Sequence, residues 1–441
     1  MGKKGTLALV SLGCAKNAVD LQVMAGNLVK EGWSLSPDPD MADTVIVNTC
    51  AFIAAAREEA ESEIRRALEM KRQGRYKRVV VAGCYPQRYP DAAAKFPGVD
   101  GWNGVPEKWV ESKNPTLRFT GRAFAYLKIA EGCNHRCSYC AIPSIRGRYR
   151  SRPVASILRE ARALLESGCK ELVIVAHDPM LYGTDFKKRG AKGKRTRLSD
   201  LLWKIEELGG DFWIRVMYSY PSEIDEDFVT WMIASERAVR YIDMPIQHTV
   251  PEVLVRMNRA RAVDATLTAA DVLREFMPDV TLRTTVMTGF PGETEARFVQ
   301  LKSDLRRMQF DHLGAFAYSP EKGTKGALMR GRPKREVAEA RARDLMEQQA
   351  QIWKFKAQSM VGKTFRALVV APGVARMASQ APDVDGVTFI IGKREEGRGK
   401  SGEEGRGKRE MGRGDVGDFV DVKILRAKGF DFEGEIVGGG R

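Results

Sequence analysis

The feature that most constrains this chain is a pattern met three times: a short β-branched apolar run that ends in a cysteine. Residues 6–14 read TLALVSLGC, residues 44–50 read TVIVNTC and residues 78–84 read RVVVAGC. Helical patterns occupy 17–31 and 54–72 between them. Runs that are apolar throughout, rather than alternating, belong to parallel strands covered on both faces. Strands alternating with helices build such a sheet. Its strands all point the same way, so Cys14, Cys50 and Cys84 are expected to emerge together at carboxyl ends, where open α/β sheets place ligands. Cysteines serving only as core would sit inside the strands. Three converging thiols predict a metal site with thiolate preference, zinc or an iron–sulfur cluster.

From about residue 119 six further strand patterns follow, at 124–130, 171–176, 212–218, 240–246, 280–288 and 312–318. Helical patterns separate them, for example 154–167 and 294–308. Eight β/α repeats close a barrel, whereas six predict an open, partial one with its chemistry at the carboxyl ends of the strands. The first of these strands runs into EGCNHRCSYCAIPSIRG, where Cys133, Cys137 and Cys140 form a CxxxCxxC loop. Zinc sites use CxxC pairs and four ligands. Here no matching fourth ligand follows, and His135 is too near in sequence to complete a tetrahedron easily. Three thiolates suit a [4Fe–4S] cluster with one iron left open for a substrate. Cys169 falls at the entry end of a strand and is read as a small buried hydrophobe. A long helical pattern at 334–360 precedes short strand patterns at 361–370, 387–391, 419–425 and 431–436, which predict a small all-β barrel interrupted by residues 393–414.

At about 150 residues per domain, 441 residues make three units. A chain 43% hydrophobic and 29% charged is not intrinsically disordered. No apolar stretch approaches the roughly 18 residues of a membrane span. The N-terminus shows no secretory signal pattern, so a cytoplasmic location is expected. Met1 and Gly2 with Thr6 satisfy a loose myristoylation pattern, but Thr6 is better read as opening the first strand. Seven cysteines, an odd number, are too few for a disulfide scaffold, and no disulfides are expected.

The net charge of +15 invites a nucleic-acid partner. Ten of those charges, however, fall in two Gly-rich segments: 187–197 holds seven bases and no acid, and 393–414 holds eight bases and five acids. Both are read as solvated insertions. Outside the second segment the small barrel is close to neutral: 361–392 carry three bases and two acids, and 415–441 carry four bases and six acids. That balance fits a basic protein better than a phosphate backbone. Asp383, Asp385, Asp418 and Asp421 are expected to provide the docking charge, with turn capping as their alternative role.

These motifs together resemble the radical S-adenosylmethionine methylthiotransferases, most of all the RimO branch, which modifies an aspartate of small-subunit ribosomal protein S-twelve. The resemblance rests on SLGCAKN (11–17), NTCAFI (48–53), AGCYPQRY (82–89), EGCNHRCSYCAIPSIRG (131–147), YIDMPIQH (241–248), TGFPGET (288–294), FAYSPEKGT (316–324) and QAPDVDG (380–386). It covers about residues 5–437 and implies a methylthiotransferase N-terminal domain at 5–117, a radical core at 119–356 and a TRAM barrel at 359–437. The implied fold is α/β: a parallel-sheet domain, a partial (β/α)6 barrel and a small all-β barrel. The resemblance also implies two [4Fe–4S] clusters. Cys133, Cys137 and Cys140 would hold the one that binds S-adenosylmethionine; Cys14, Cys50 and Cys84 would hold an auxiliary one that carries the sulfur. A radical is needed because the target β-carbon has an unactivated C–H bond, and S-adenosylmethionine would serve as both radical source and methyl donor.

Tyr139, His177, Asp178, Gly289 and Glu293 lie in regions that approach the cofactor in this family. Local capping competes as the role of His177 and Asp178, a plain turn as that of Gly289, and packing as that of Tyr139. An electron donor such as flavodoxin or ferredoxin is implied. The chain departs from the family pattern at His177-Asp178-Pro179, where Gln-Asp-Thr/Ser is usual, and in the two basic segments. The nearest alternative is the MiaB-like branch, which methylthiolates a tRNA adenosine. A non-catalytic iron–sulfur or RNA-binding scaffold would need neither the open-iron spacing nor six barrel strands.

Overall fold

The first unit runs β1 (Gly5–Ser11), α1 (Ala15–Lys30), β2 (Trp33–Leu35), β3 (Ala42–Thr49), α2 (Ala54–Arg72), β4 (Tyr76–Gly83), α3 (Cys84–Arg88) and β5 (Gly101–Asn103). Its five strands make one parallel sheet in the order β2-β1-β3-β4-β5. Val45, Val47, Val79 and Val81 are fully buried, which accounts for the unbroken apolar runs of the central strands. The two edge strands were not expected, because three residues carry too little pattern to be seen. The chain is described here from a computed structural model over residues 4–106, 123–187, 196–392 and 414–437. Met1 and Gly2, the expected boundary at 117–119, and nearly all of both basic segments (188–195 and 393–413) lie outside the described residues.

The second unit begins with β6 (Phe124–Lys128), β7 (Ala130–Glu131), α4 (Ile142–Arg146), β8 (Arg150–Ser151), α5 (Val154–Glu166) and β9 (Glu171–Val175). It continues through α6 (Leu198–Glu206), β10 (Trp213–Val216), α7 (Glu226–Ala234), β11 (Tyr241–Asp243), α8 (Pro251–Arg256) and α9 (Val263–Phe276), and closes with β12 (Thr281–Thr288), α10 (Glu295–Met308) and β13 (His312–Ala317). Strands β6, β9 and β10 form one parallel sheet, and β11, β12 and β13 another. Ile214 joins them: its N–H donates to the Arg237 carbonyl at 2.7 Å and its carbonyl accepts from the Val239 N–H at 2.9 Å. The result is a six-stranded parallel arc in chain order, the expected partial barrel. Cys169 is buried in the core between the arc and its helices, where a small apolar side chain fits.

Helix α11 (Arg335–Met360) leads to β14 (Thr364–Ala371), β15 (Val374–Met377), β16 (Thr388–Ile390), β17 (Phe419–Lys428) and β18 (Asp431–Ile436), which close into a five-stranded barrel. Among the described residues no helix is long and apolar enough to cross a membrane.

The arc's other face, turned away from its helices, is covered by the two flanking units. One apolar cluster takes Val19 and Val23 from α1, Tyr126, Val173 and Tyr241 from the arc, and Leu368 and Ala381 from the small barrel's unit. The connection from β15 to β16 is pinned there. Asp383 accepts from the Tyr126 hydroxyl at 2.5 Å, and Asp385 accepts from the Tyr241 hydroxyl at 2.7 Å and from Arg283 at 2.6 Å. Glu171 takes Arg215 at 2.7 Å and also Arg376. This corrects the docking role expected of Asp385. The Asp385 side chain is 1% exposed, and both it and Asp383 hold the barrel to the arc; Asp383, Asp418 and Asp421 are exposed residues.

Candidate active site

Each sheet cysteine sits where a strand ends. Cys14 lies three residues past β1 and occupies the cap position of α1, Cys50 follows β3 directly, and Cys84 opens α3 at the end of β4. The turns are laced by two amides. Asn17 Nδ2 donates to the carbonyls of Leu12 (2.7 Å) and Thr49 (3.2 Å), and Asn48 Nδ2 donates to the Asn17 carbonyl (2.7 Å). Gly13 has φ +91°, and a Cβ there would lie 2.7 Å from the Cys50 Cβ, so only glycine lets these two turns approach.

The second cysteine set is local. Strands β7 and β8 pair antiparallel and tie the two ends of the loop that holds Cys133, Cys137 and Cys140. Inside it the Cys133 N–H donates to the Gly147 carbonyl at 3.2 Å and the Cys140 N–H to the Cys137 carbonyl at 3.1 Å. Ser138 anchors the loop to the barrel: its N–H donates to the Met257 carbonyl at 3.0 Å and its Oγ to the Arg256 carbonyl at 2.6 Å.

All six cysteines line one cavity of about 380 Å³. Burial pushes the thiols of Cys84, Cys133 and Cys140 up to about 12, against the nearby guanidinium of Arg146 for Cys84 and that of Arg259 for the other two. Such thiols stay protonated unless a cation displaces the proton, as iron does on ligation. Among the described residues no three His, Cys, Asp or Glu side chains converge tightly enough to hold a single metal ion. A four-iron cluster instead spreads its thiolates over separate irons, so two sets of three cysteines around a shared cavity fit clusters rather than mononuclear sites.

A buried charge network lies against the sheet set at Cys84. Arg146 Nη2 donates to Cys84 Sγ at 3.0 Å and to Asn17 Oδ1 at 3.1 Å, and Nη1 pairs with Asp20 and, at 3.2 Å, with Glu131. Lys128 pairs with the same two acids. Two bases and two acids balance, and burial penalises any imbalance. On the loop side His135 stacks on Tyr220 with centroids 4.0 Å apart, its Nε2 2.6 Å from Asp178 Oδ2. Arg259 lies over the other ring contact, 4.0 Å from the Tyr220 centroid, and donates to the Pro245 carbonyl at 3.0 Å. Burial, reinforced by Lys16 and Arg146, holds His177 well below its ordinary pKa, so its ring is neutral. Burial likewise lowers the Lys16 ammonium, opposed by Cys14 and Asp243.

Of the other residues expected near the cofactor, Tyr139 and His177 line the cavity. Asp178 stands behind it, positioning His135 and capping the Pro179–Leu181 turn through the Met180 N–H at 3.0 Å, the local role set against function above. Gly289 and Glu293 are not brought to the cavity. A Cβ on Gly289 would lie 2.2 Å from the Ala338 Cβ, so that glycine admits α11. Glu293 is buried, accepting from the Gly289 N–H at 2.9 Å and from Arg341 at 2.7 Å. Lys16, Arg146, Tyr218, Gln247 and Arg259 line the cavity and were not singled out from the sequence. Three of the five carried a signal, since Lys16, Arg146 and Gln247 stand inside quoted motifs, whereas nothing marked Tyr218 or Arg259.

Comparison with known proteins places this site in a family. Residues 6–104 match the family described as Uncharacterized protein family UPF0004, 127–305 the radical SAM superfamily and 361–437 the TRAM domain. Among similar solved structures is the radical S-adenosylmethionine methyltransferase TsrM from Kitasatospora setae, with a TM-score of 0.52 at 17% identity over 88% of this chain and 82% of that one. That likeness concerns the fold alone. Proteins named ribosomal protein uS12 methylthiotransferase RimO are nearer in sequence. The one from Bdellovibrio bacteriovorus is 36% identical over 97% of this chain and 96% of its own length. That from Moorella thermoacetica is 39% identical over 88% and 93%. That from Thermotoga maritima is 36% identical over 97% and 98%. With similarity of this extent, and with six cysteines around one cavity, the chain belongs to the RimO family of radical S-adenosylmethionine methylthiotransferases.

Proposed function

We propose that this chain transfers a methylthio group to the β-carbon of an aspartate in ribosomal protein uS12, in the cytoplasm, with S-adenosylmethionine as both methyl donor and radical source. One observation carries this function: both cysteine sets face a single cavity, so one bound substrate is open to both. Loaded with [4Fe–4S] clusters, the loop set (Cys133, Cys137, Cys140) supplies reductive cleavage of S-adenosylmethionine and the sheet set (Cys14, Cys50, Cys84) supplies sulfur. The chain's own residues do the rest. Arg259, Tyr220 and His135 form a stacked wall beside the loop set, with Asp178 fixing the His135 ring. Tyr139, packed edge-on to Phe290 at 6.4 Å, shields the loop, and neutral His177 adds polarity without charge. Arg146 holds a positive charge on Cys84 and keeps the two cysteine sets in fixed relation. The electron comes from a flavodoxin- or ferredoxin-type donor.

Mass spectrometry of uS12 and of tRNA from cells lacking the gene tests this. Loss of the methylthio group from the uS12 aspartate, with tRNA unchanged, is expected. The reverse result would move the chain to the tRNA-modifying branch.

A further inference from the structure

We infer that Lys16 recognises the side-chain carboxylate of the residue being modified, and so selects an acidic target; the inference rests on the protein-substrate function proposed above. Lys16 is the second residue of α1, two places past Cys14, and it lines the shared cavity while only 7% exposed. Its Nζ lies 3.2 Å from the centroid of the Tyr218 ring, so one side of the ammonium rests on an aromatic face. That ring is held in an unusual place. Tyr218 has φ +73°, a conformation costly for any residue but glycine, and its N–H donates to Asp243 Oδ2 at 3.2 Å.

Among the described residues Lys16 makes no hydrogen bond and no ion pair. The acids nearby are engaged elsewhere. Asp20 and Glu131 balance Lys128 and Arg146, and Asp243 faces the Tyr218 N–H and Arg283, whose Nε is 3.7 Å away. A buried ammonium without an anion is unfavourable, and a carboxylate entering the cavity would satisfy it with a charge-assisted hydrogen bond. The cavity's other cation outside the balanced network, Arg259, stands at the loop set, 3.4 Å from the Tyr139 hydroxyl. Arg146, beside Cys84, is already paired with Asp20 and Glu131, so Lys16 is the cation left for an incoming anion beside the sheet cysteines, the set assigned to sulfur delivery, where the target side chain must lie. Its competing role is to offset the charge of that cysteine set.

The test uses full-length protein with both clusters loaded and S-adenosylmethionine present, without reductant. Anisotropy measures the binding of a synthetic peptide carrying the target aspartate of uS12 and of the same peptide with asparagine there. Wild type should prefer the aspartate peptide. Lys16→Met should weaken that peptide by about 10- to 100-fold, the loss of one hydrogen bond between charged groups, and leave the asparagine peptide unchanged. Lys16→Arg should restore part of the preference. Iron content and the resting spectrum identify folded, loaded variants. Equal weakening of both peptides would mean a structural role and overturn the inference. So would an unchanged preference in Lys16→Met, and a shifted midpoint potential of the sheet cluster accompanying it would assign Lys16 to charge compensation. Wild type that ignores the difference between aspartate and asparagine would bring down the protein-substrate function as well.

Discussion

The two cysteine sets reach one cavity in different ways. The loop set lies within residues 133–140, in one loop whose ends are tied by β7 and β8. The sheet set is spread over residues 14–84 and exists only because β1, β3 and β4 are neighbours in parallel register. The loop carries its geometry with it; the sheet set inherits its geometry from a folded domain. The difference predicts that the first resists distant changes and the second does not.

Removing each set in turn gives the largest effects. In Cys133→Ala/Cys137→Ala/Cys140→Ala protein we expect no deoxyadenosine from S-adenosylmethionine and about half the iron, measured by chromatography and iron assay. Surviving cleavage would deny the loop its role. In Cys14→Ala/Cys50→Ala/Cys84→Ala protein we expect about half the iron again, deoxyadenosine still formed, and no methylthiolated product. A normal product yield would sink the division of labour between the sets.

A subtler change sharpens the comparison. Gly13→Ala places a Cβ against Cys50 and a side chain at φ +91°, a strain of about 1–3 kcal/mol concentrated on the sheet set. The iron of the sheet set should be lost while that of the loop set remains, which the cluster spectra of each set resolve. Equal loss from both would mean that the sets are not independent in folding.

Arg146 is the shared element. Among the described residues Arg146→Gln leaves Asp20 and Glu131 with Lys128 as their one charged partner, and breaking such a buried pair costs about 3–5 kcal/mol. A fall of several degrees in the apparent unfolding temperature is expected; an unchanged one would show that the network contributes nothing to holding the two units together.

The smallest effect concerns pH. Burial holds the Asp243 carboxyl up at about 6, above the ordinary 3.8 that an unfolded chain has. Folding therefore favours its protonated form. Stability from this group is complete below pH 3.8 and is lost as pH rises through about 6. Asp243→Asn removes that loss, so the variant should gain about 3 kcal/mol over wild type at pH 8 and nothing at pH 3.5. Denaturant midpoints at the two values check it, and a gain that is the same at both would assign the effect to packing.

The α/β alternation, the partial barrel and the small β-barrel were legible in the chain's residues. Those patterns are local: apolar runs such as TVIVNTC and RVVVAGC, and helical stripes between them, bury their faces in whatever sheet they enter. The sequence also placed the cysteines at strand ends, because parallel strands leave no other direction for them. Three-residue strands such as β2 and β5 escaped notice for want of length. The tertiary structure alone decided what meets across long separations. Asp383 and Asp385 look like surface acids in a turn, yet they fasten the small barrel to Tyr126 and Tyr241. Glu293 turns from the cavity because Arg341, on α11, takes its carboxylate. Lys16 and Tyr218 are 202 positions apart, and their contact follows from α1 packing over the arc. No periodicity encodes such meetings. They depend on how whole sheets and helices dock, and the burial of their apolar faces settles that docking before any polar side chain finds its partner.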